Sequence, residues 1–264
     1  MSGKTLRLNR LIHIESKRFC IVPIDHGTTL GPINGLENAV QTISNIVEGG
    51  ADGLVMHKGL LSMAAPHPGL AKGRYWMHLS VSTVLGPDPN YKVLVATVEE
   101  TVKLGADGIS IHVNIGTESE TEMIKDFGKV SEACLEWGMP LLAMMYSKKD
   151  AHKDAGQIAH AARLGQELGA DIVKVDYPGT IEGMARVVNG VQVPVVIAGD
   201  SKTDNPGELL GIINDAIQAG AAGVSIGRNI FQYKDQRLIT EMIAGVVHKT
   251  LQFEDCLEKI KESS

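Results

Sequence analysis

The chain has 264 residues, of which 44% are apolar and only 4% aromatic, so it can bury a sizeable core built from Val, Ile, Leu, Ala and Met. Its formal net charge of -6 excludes non-specific nucleic-acid binding, which needs a basic surface. No apolar run reaches the roughly 18 residues of a membrane span, the segment MSGKTLRLNRLIHIESKRF has no signal-peptide core, and Cys20, Cys134 and Cys256 lack metal-ligand spacing, so a cytoplasmic protein with reduced thiols is expected.

Short apolar runs alternate with longer helical patterns along the chain. FCIVPID predicts a first strand ending at Asp25, and LENAVQTISNIVEGG a helix with a glycine stop. GLVMH ends at His57 and YWMHLS at Ser80, and VATVEETVKLGAD follows as a helix. GISIHVN ends at Asn114, before the helix EMIKDFGKVSEACLEWG. PLLAMMY ends at Tyr146, before AGQIAHAARLGQELGAD. DIVKVDY ends at Tyr177, before the shorter GTIEGMARVVNG. PVVIAG ends at Gly199, before GELLGIINDAIQAGAA, and GVSIG ends at Gly227.

Several helices close on Gly-Ala-Asp or a near variant, and a strand follows at once. Eight such units predict a single (β/α)8 TIM barrel over 1–264, with short flanking helices before Phe19 and after Ile239. A doubly wound open sheet is the rival, but no G-x-G-x-x-G follows the first strand.

The C-terminal strand ends of such a barrel carry its active site, and here they are all polar. In order they supply Asp25-His26-Gly27, His57-Lys58-Gly59, His78 with Ser80, and His112 with Asn114. Tyr146 follows, then Lys174-Val175-Asp176-Tyr177, Asp200-Ser201-Lys202, and Arg228-Asn229. AGDSKT and IGRN place Gly199 and Gly227 where a backbone N–H can approach an anion, with Lys202 and Arg228 adding charge. Loops after the seventh and eighth strands are the common phosphate cradle of these barrels.

Lys174 stands mid-strand, where an unpaired ammonium is costly. Alternation places Ile172, Lys174 and Asp176 on one face and Val173 and Val175 on the other. Facing the barrel interior, Lys174 could lose its proton and attack a carbonyl to form an imine, with Tyr146 and Asp25 as proton shuttles. A lysine merely paired with Asp25 or Asp176 is the other reading. Lys58 is a competing nucleophile, better placed to reach a phosphate or a neighbouring subunit. His26, His57, His78 and His112 come from four strands without an H-x-H or H-E-x-x-H pair, so no metal is expected; mid-helix His160 reads as packing or surface.

The motifs VPIDHGTTLGPINGLEN, MHKG, SIHVNIGTE, WGMPLLAMMY, ADIVKVDY, AGDSKT and AGVSIGRNIFQ, in this order, resemble the archaeal-type class I (Schiff-base) aldolases from about Arg7 to His248. The resemblance implies Lys174 as imine lysine, Asp25 and Tyr146 as the other catalytic residues, and Gly199, Ser201, Lys202, Gly227 and Arg228 around phosphate, with His26 and Asp200 beside them. It implies a phosphorylated ketose and an aldehyde as substrates, no cofactor or metal, and a homo-oligomer, in the family often a decamer. HVNIG and WGMPLLAMMY resemble the branches that use aspartate semialdehyde, one making 2-amino-3,7-dideoxy-D-threo-hept-6-ulosonate and another condensing dihydroxyacetone phosphate. Fructose-1,6-bisphosphate aldolase is an alternative, as is a phosphosugar isomerase or binding barrel without an imine. Two departures stand out. Tyr146-Ser147-Lys148-Lys149 replaces Tyr-Pro-Arg-Gly, and Gly199-Asp200-Ser201-Lys202 replaces Gly-Gly-Pro-Lys. Asp200 is expected to turn from the phosphate and pair with Lys202 or with the loop after the fifth strand.

Overall fold

A computed structural model describes residues 2–147, 153–200, 202–203 and 205–262. Eight parallel strands close into a barrel. They are β1 (Phe19–Pro23), β2 (Gly53–Met56), β3 (Tyr75–His78), β4 (Gly108–Ile115), β5 (Leu141–Ser147), β6 (Ile172–Val175), β7 (Val195–Ala198) and β8 (Gly223–Ser225). Helices on the outside connect them, in the expected (β/α)8 arrangement.

Most strands stop one or two residues before their predicted ends. The polar residues there leave the ladder and enter the loops that form the barrel mouth. Ser80 is the clearest case: with Val81 it forms a separate antiparallel ribbon against Val93–Leu94, beyond the end of β3. At the chain's end, Gln236–His248 packs against β1 and against helices Ala39–Glu48 and Pro206–Gln218. It is therefore the eighth helix of the ring, and Phe253–Glu262 lies beyond it.

Strand alternation sorts the core into two layers. Val173, Val175, Ala143, Met145, Ile109 and Ile111 belong to the large cluster between sheet and helices. Ile172, Leu142, Met144, Val196, Ile21 and Trp76 form a second cluster inside the barrel. The N-terminal helix Ser2–Leu11 joins the inner cluster through Leu11, which is fully buried, with Leu8 and Ile12 packed beside it. It plugs the N-terminal mouth, so the polar C-terminal mouth is the open one.

The repeated Gly-Ala-Asp has a structural job. Gly50, Gly105 and Gly169 take φ of 89°, 77° and 95° at the helix ends, a conformation glycine adopts without strain. The aspartate then clips a backbone N–H of an adjacent strand. Asp52 accepts from Cys20 N at 2.7 Å, Asp107 from Tyr75 N at 3.2 Å and Asp171 from Leu141 N at 2.8 Å. Two of these carboxylates also hold the N-terminal helix, through Lys4–Asp171 at 2.9 Å and Arg10–Asp107 at 3.3 Å. Among the described residues no helix is long and apolar enough to cross a membrane.

Candidate active site

Lys174 lies inside the barrel, in register with Met144 on β5 and Val196 on β7, and is only 7% exposed. Its side chain stands between two lobes of a cavity at the C-terminal mouth. One lobe, of about 260 Å³, is lined by Asp25, His57, His78, Ser80, Lys92 and Met144. The other, of about 290 Å³, is lined by Asn114, Asp176, Gly199, Asp200, Ser225 and Gly227. His26, His112, Tyr146, Lys174 and Arg228 border both.

Burial lowers the Lys174 pKa from 10.5 to about 8, although the carboxylates of Asp25 and Asp176 pull it up; Arg228 adds to the lowering. A usable fraction of neutral amine therefore exists near neutral pH. Asp25 shows the opposite balance. Burial raises its pKa, but His78 and His26, protonated at the acidic pH where Asp25 would titrate, together with Lys174 outweigh that and hold it well below the usual carboxylate range. It is a carboxylate at every pH where Lys174 can be neutral. The Tyr146 phenol is pushed well up, by burial first and then by Asp176, Asp25 and Asp200, so it keeps its proton. Its ring lies 4.8 Å from that of His112.

The histidines form a neutral scaffold around Asp25. His78 Nε2 is 3.6 Å from Asp25 Oδ2, and its Nδ1 is 2.7 Å from Ser110 Oγ. His57 Nδ1 donates to His78 O at 3.0 Å, leaving Nε2, 2.9 Å from Thr28 Oγ1, as an acceptor. His26 Nδ1 lies 3.3 Å from Asp25 Oδ1 but is not aligned for a hydrogen bond. Burial brings His78 and His112 down to about 3 and lowers His57 and His26 as well. Among the described residues, no group of three or more His, Cys, Asp or Glu side chains gathers as a metal site.

The far lobe holds most of the residues expected around phosphate. Gly199 and Gly227 are there, and a side chain at either would collide with the barrel. An added Cβ on Gly227 would lie 2.4 Å from Pro23 O, and one on Gly199 2.6 Å from Ile226 Cγ2. Arg228 donates from Nη2 to Asp200 O at 2.9 Å. Asn229 Nδ2 donates to Gly199 O at 2.7 Å and so links the ends of β7 and β8. Asp200 sits at φ 50° and pairs with Lys153 at 2.9 Å. Of its two expected partners the carboxylate thus takes the segment after β5, not Lys202. Lys202 itself is exposed and lines neither lobe. Ser201, Lys148 and Lys149 lie outside the described residues.

Lys58, expected to reach a phosphate or a neighbouring subunit, pairs with Glu100 at 3.1 Å, donates to Val95 O at 2.9 Å and lines neither lobe. His160 is on the surface.

A chain with a lysine, a tyrosine and an aspartate so placed invites comparison with known barrels. Residues 19–233 match the family described as DeoC/LacD family aldolase. The chain belongs to the DeoC/LacD aldolase family. It is 40% identical to the 2-amino-4,5-dihydroxy-6-oxo-7-(phosphonooxy)heptanoate synthase of Streptomyces griseus, over 94% of this chain and 91% of the relative. It is also 40% identical to the 2-amino-3,7-dideoxy-D-threo-hept-6-ulosonate synthase of Halobacterium salinarum, over 94% of this chain and 92% of the relative. An archaeal fructose 1,6-bisphosphate aldolase structure superposes with a TM-score of 0.84 at 24% identity, over 93% of this chain and 99% of that one, and so shares the fold.

In this DeoC/LacD aldolase two site residues escaped the sequence pattern. Ser110 looks like an interior strand residue, and only the register His78↔Ser110 reveals that it supports His78. Lys92 lies in the excursion after β3, among residues without clear periodicity. The length of that excursion was the available signal, because βα loops usually run two to six residues and longer ones tend to carry function.

Proposed function

We propose that the protein is a lysine-imine aldolase or transaldolase that makes or breaks a carbon–carbon bond of a phosphorylated ketose, with aspartate semialdehyde as the acceptor. The observation that carries this reading is Lys174, buried at the meeting of the two lobes with its pKa lowered to about 8. The neutral amine adds to the ketone carbon of the donor, and the carbonyl oxygen takes a proton. Loss of that oxygen as water leaves the protonated imine. In cleavage, the hydroxyl on the carbon beyond the scissile bond gives up its proton, the bond breaks, and its electron pair moves toward the imine nitrogen. An aldehyde leaves and an enamine remains on Lys174. In synthesis the enamine attacks the acceptor aldehyde by the reverse path, and water then releases the amine.

Tyr146, which keeps its proton, is suited to protonate the departing hydroxyl of the carbinolamine; Asp25, held ionised, is suited to accept the substrate hydroxyl proton. The donor phosphate is assigned to the lobe of Gly199, Gly227 and Arg228, where a guanidinium can make two charge-assisted hydrogen bonds. The names of the two synthases at 40% identity support an acceptor other than a triose phosphate. Reduced thiols at the buried Cys20, Cys134 and Cys256 suit a cytoplasmic enzyme.

Borohydride reduction after incubation with dihydroxyacetone phosphate, fructose 1,6-bisphosphate or an uncharged ketose tests the reading. A stable protein adduct that forms at far lower concentration with a phosphorylated ketose is the expected result, and failure of every ketose to label the protein contradicts it. As an aldolase of this kind the protein is a homo-oligomer; light scattering of the purified chain should give a multiple of 28.3 kDa, and a monomer would contradict this.

A further inference from the structure

The lobe around Asp25 contains a cation that the imine chemistry leaves unused. Lys92 enters it from the excursion between Ser80–Val81 and Val93–Leu94. Side-chain bonds fix that excursion against the barrel. Ser82 Oγ donates to Pro89 O at 2.7 Å, Asn114 Nδ2 to Asn90 O at 2.6 Å, and Ser119 Oγ to Asp88 Oδ2 at 2.9 Å. The Lys92 ammonium donates to Ser82 Oγ, and Ser82 is itself 8% exposed. Lys92 is therefore a held charge, not a mobile surface lysine.

If the donor phosphate occupies the lobe of Gly199 and Gly227, the acceptor aldehyde must reach Lys174 from the other lobe. The walls there, besides the shared residues, include Thr29, Leu30, His57, His78, Ser80 and Met144. None of these is cationic near neutral pH, because burial keeps His57 and His78 uncharged. Lys92 is the positive group that the lobe adds to the shared Lys174 and Arg228. A phosphate dianion is the worse match, since the ionised Asp25 lines the same small space and would repel it more strongly than a monoanion. We propose that Lys92 selects an acceptor aldehyde bearing a carboxylate, which it holds by a charge-assisted hydrogen bond. The proposal deepens the aldolase reading above and rests on it.

The test compares wild type, Lys92→Met and Lys92→Arg with dihydroxyacetone phosphate as donor. The acceptors are L-aspartate semialdehyde, succinic semialdehyde and butanal. Lys92→Met should lose about 10- to 100-fold in kcat/KM on both carboxylated aldehydes, the usual scale for a lost hydrogen bond to a charged group, and little on butanal. Lys92→Arg should recover most of the preference. Borohydride labelling by dihydroxyacetone phosphate should keep its wild-type concentration dependence in both variants, which also shows that they fold. An equal loss on all three aldehydes, or an unchanged preference for carboxylates, overturns the proposal while the imine reading stands. A raised dihydroxyacetone phosphate requirement in Lys92→Met overturns it too, by assigning the lysine to the donor phosphate. A wild-type protein that no ketose labels overturns the imine reading and this proposal together.

Discussion

In the proposed reaction a single lysine carries the chemistry, and its ionisation sets the pH dependence. Lys174 has a folded pKa of about 8 against an unfolded value of 10.5. Below about 8 both states hold the proton, and the native state bears the full cost of a buried charge. Between about 8 and 10.5 the unfolded state binds more protons, so stability gains from this group as pH rises. Reactivity follows the same proton: the initial rate of imine trapping should climb with pH through about 8. Asp25 is a carboxylate that raises this pKa. Asp25→Asn should therefore move the midpoint of the trapping profile to lower pH even as turnover falls. A midpoint that stays or rises would show that Asp25 does not act on Lys174 through charge. Tyr146→Phe should lower kcat by roughly 10²–10⁴-fold, the scale of a lost general acid–base, and leave donor phosphate binding nearly intact. Near-normal kcat in steady-state assay would remove Tyr146 from the proton path.

At the level of the element, what could be read from the sequence follows from its periodicities. The alternation of Ile172, Val173, Lys174 and Val175 placed the lysine on the inner face, and the two core layers have that composition. The Gly-Ala-Asp repeat announced the helix-to-strand loops, but the role of its aspartates did not show, because an acceptor for a neighbouring strand's N–H is a tertiary fact. Asp171 joins Leu141 N and Lys4 Nζ and so ties β5 and the N-terminal helix to the start of β6. Asp171→Ala should cost about 1–3 kcal/mol, chiefly by leaving the Leu141 N–H without its acceptor. Urea unfolding measures it, and a loss below about 0.5 kcal/mol, the range of ordinary surface changes, would reduce the clip to a surface contact. The partner of Asp200 was half legible. The sequence pointed to the loop after the fifth strand or to Lys202, and Lys153 was not singled out because a lysine before a helix reads as solvated. Lys92 stayed hidden for a similar reason: no spacing rule tells which residue of a long βα excursion turns inward.

For the whole molecule, the barrel divides its labour between two ends. The N-terminal mouth is closed by Leu11 and its neighbours, and the aspartate clips lie there too. Stability is thus concentrated away from the open mouth, where Asp25, Tyr146, Lys174 and Arg228 meet around the two lobes. That separation lets the mouth keep a poorly solvated ammonium and a ring of neutral histidines without cost to the rest of the core. In the proposed reaction the lysine at this meeting point, as its neutral amine, is the nucleophile. The most direct measurement is peptide mapping by mass spectrometry after borohydride reduction in the presence of dihydroxyacetone phosphate. The account predicts one labelled peptide, with the reduced three-carbon phosphate adduct on Lys174 and none in Lys174→Met. An adduct on Lys58 or Lys92, or a Lys174→Met variant that labels as fully as wild type, would contradict it.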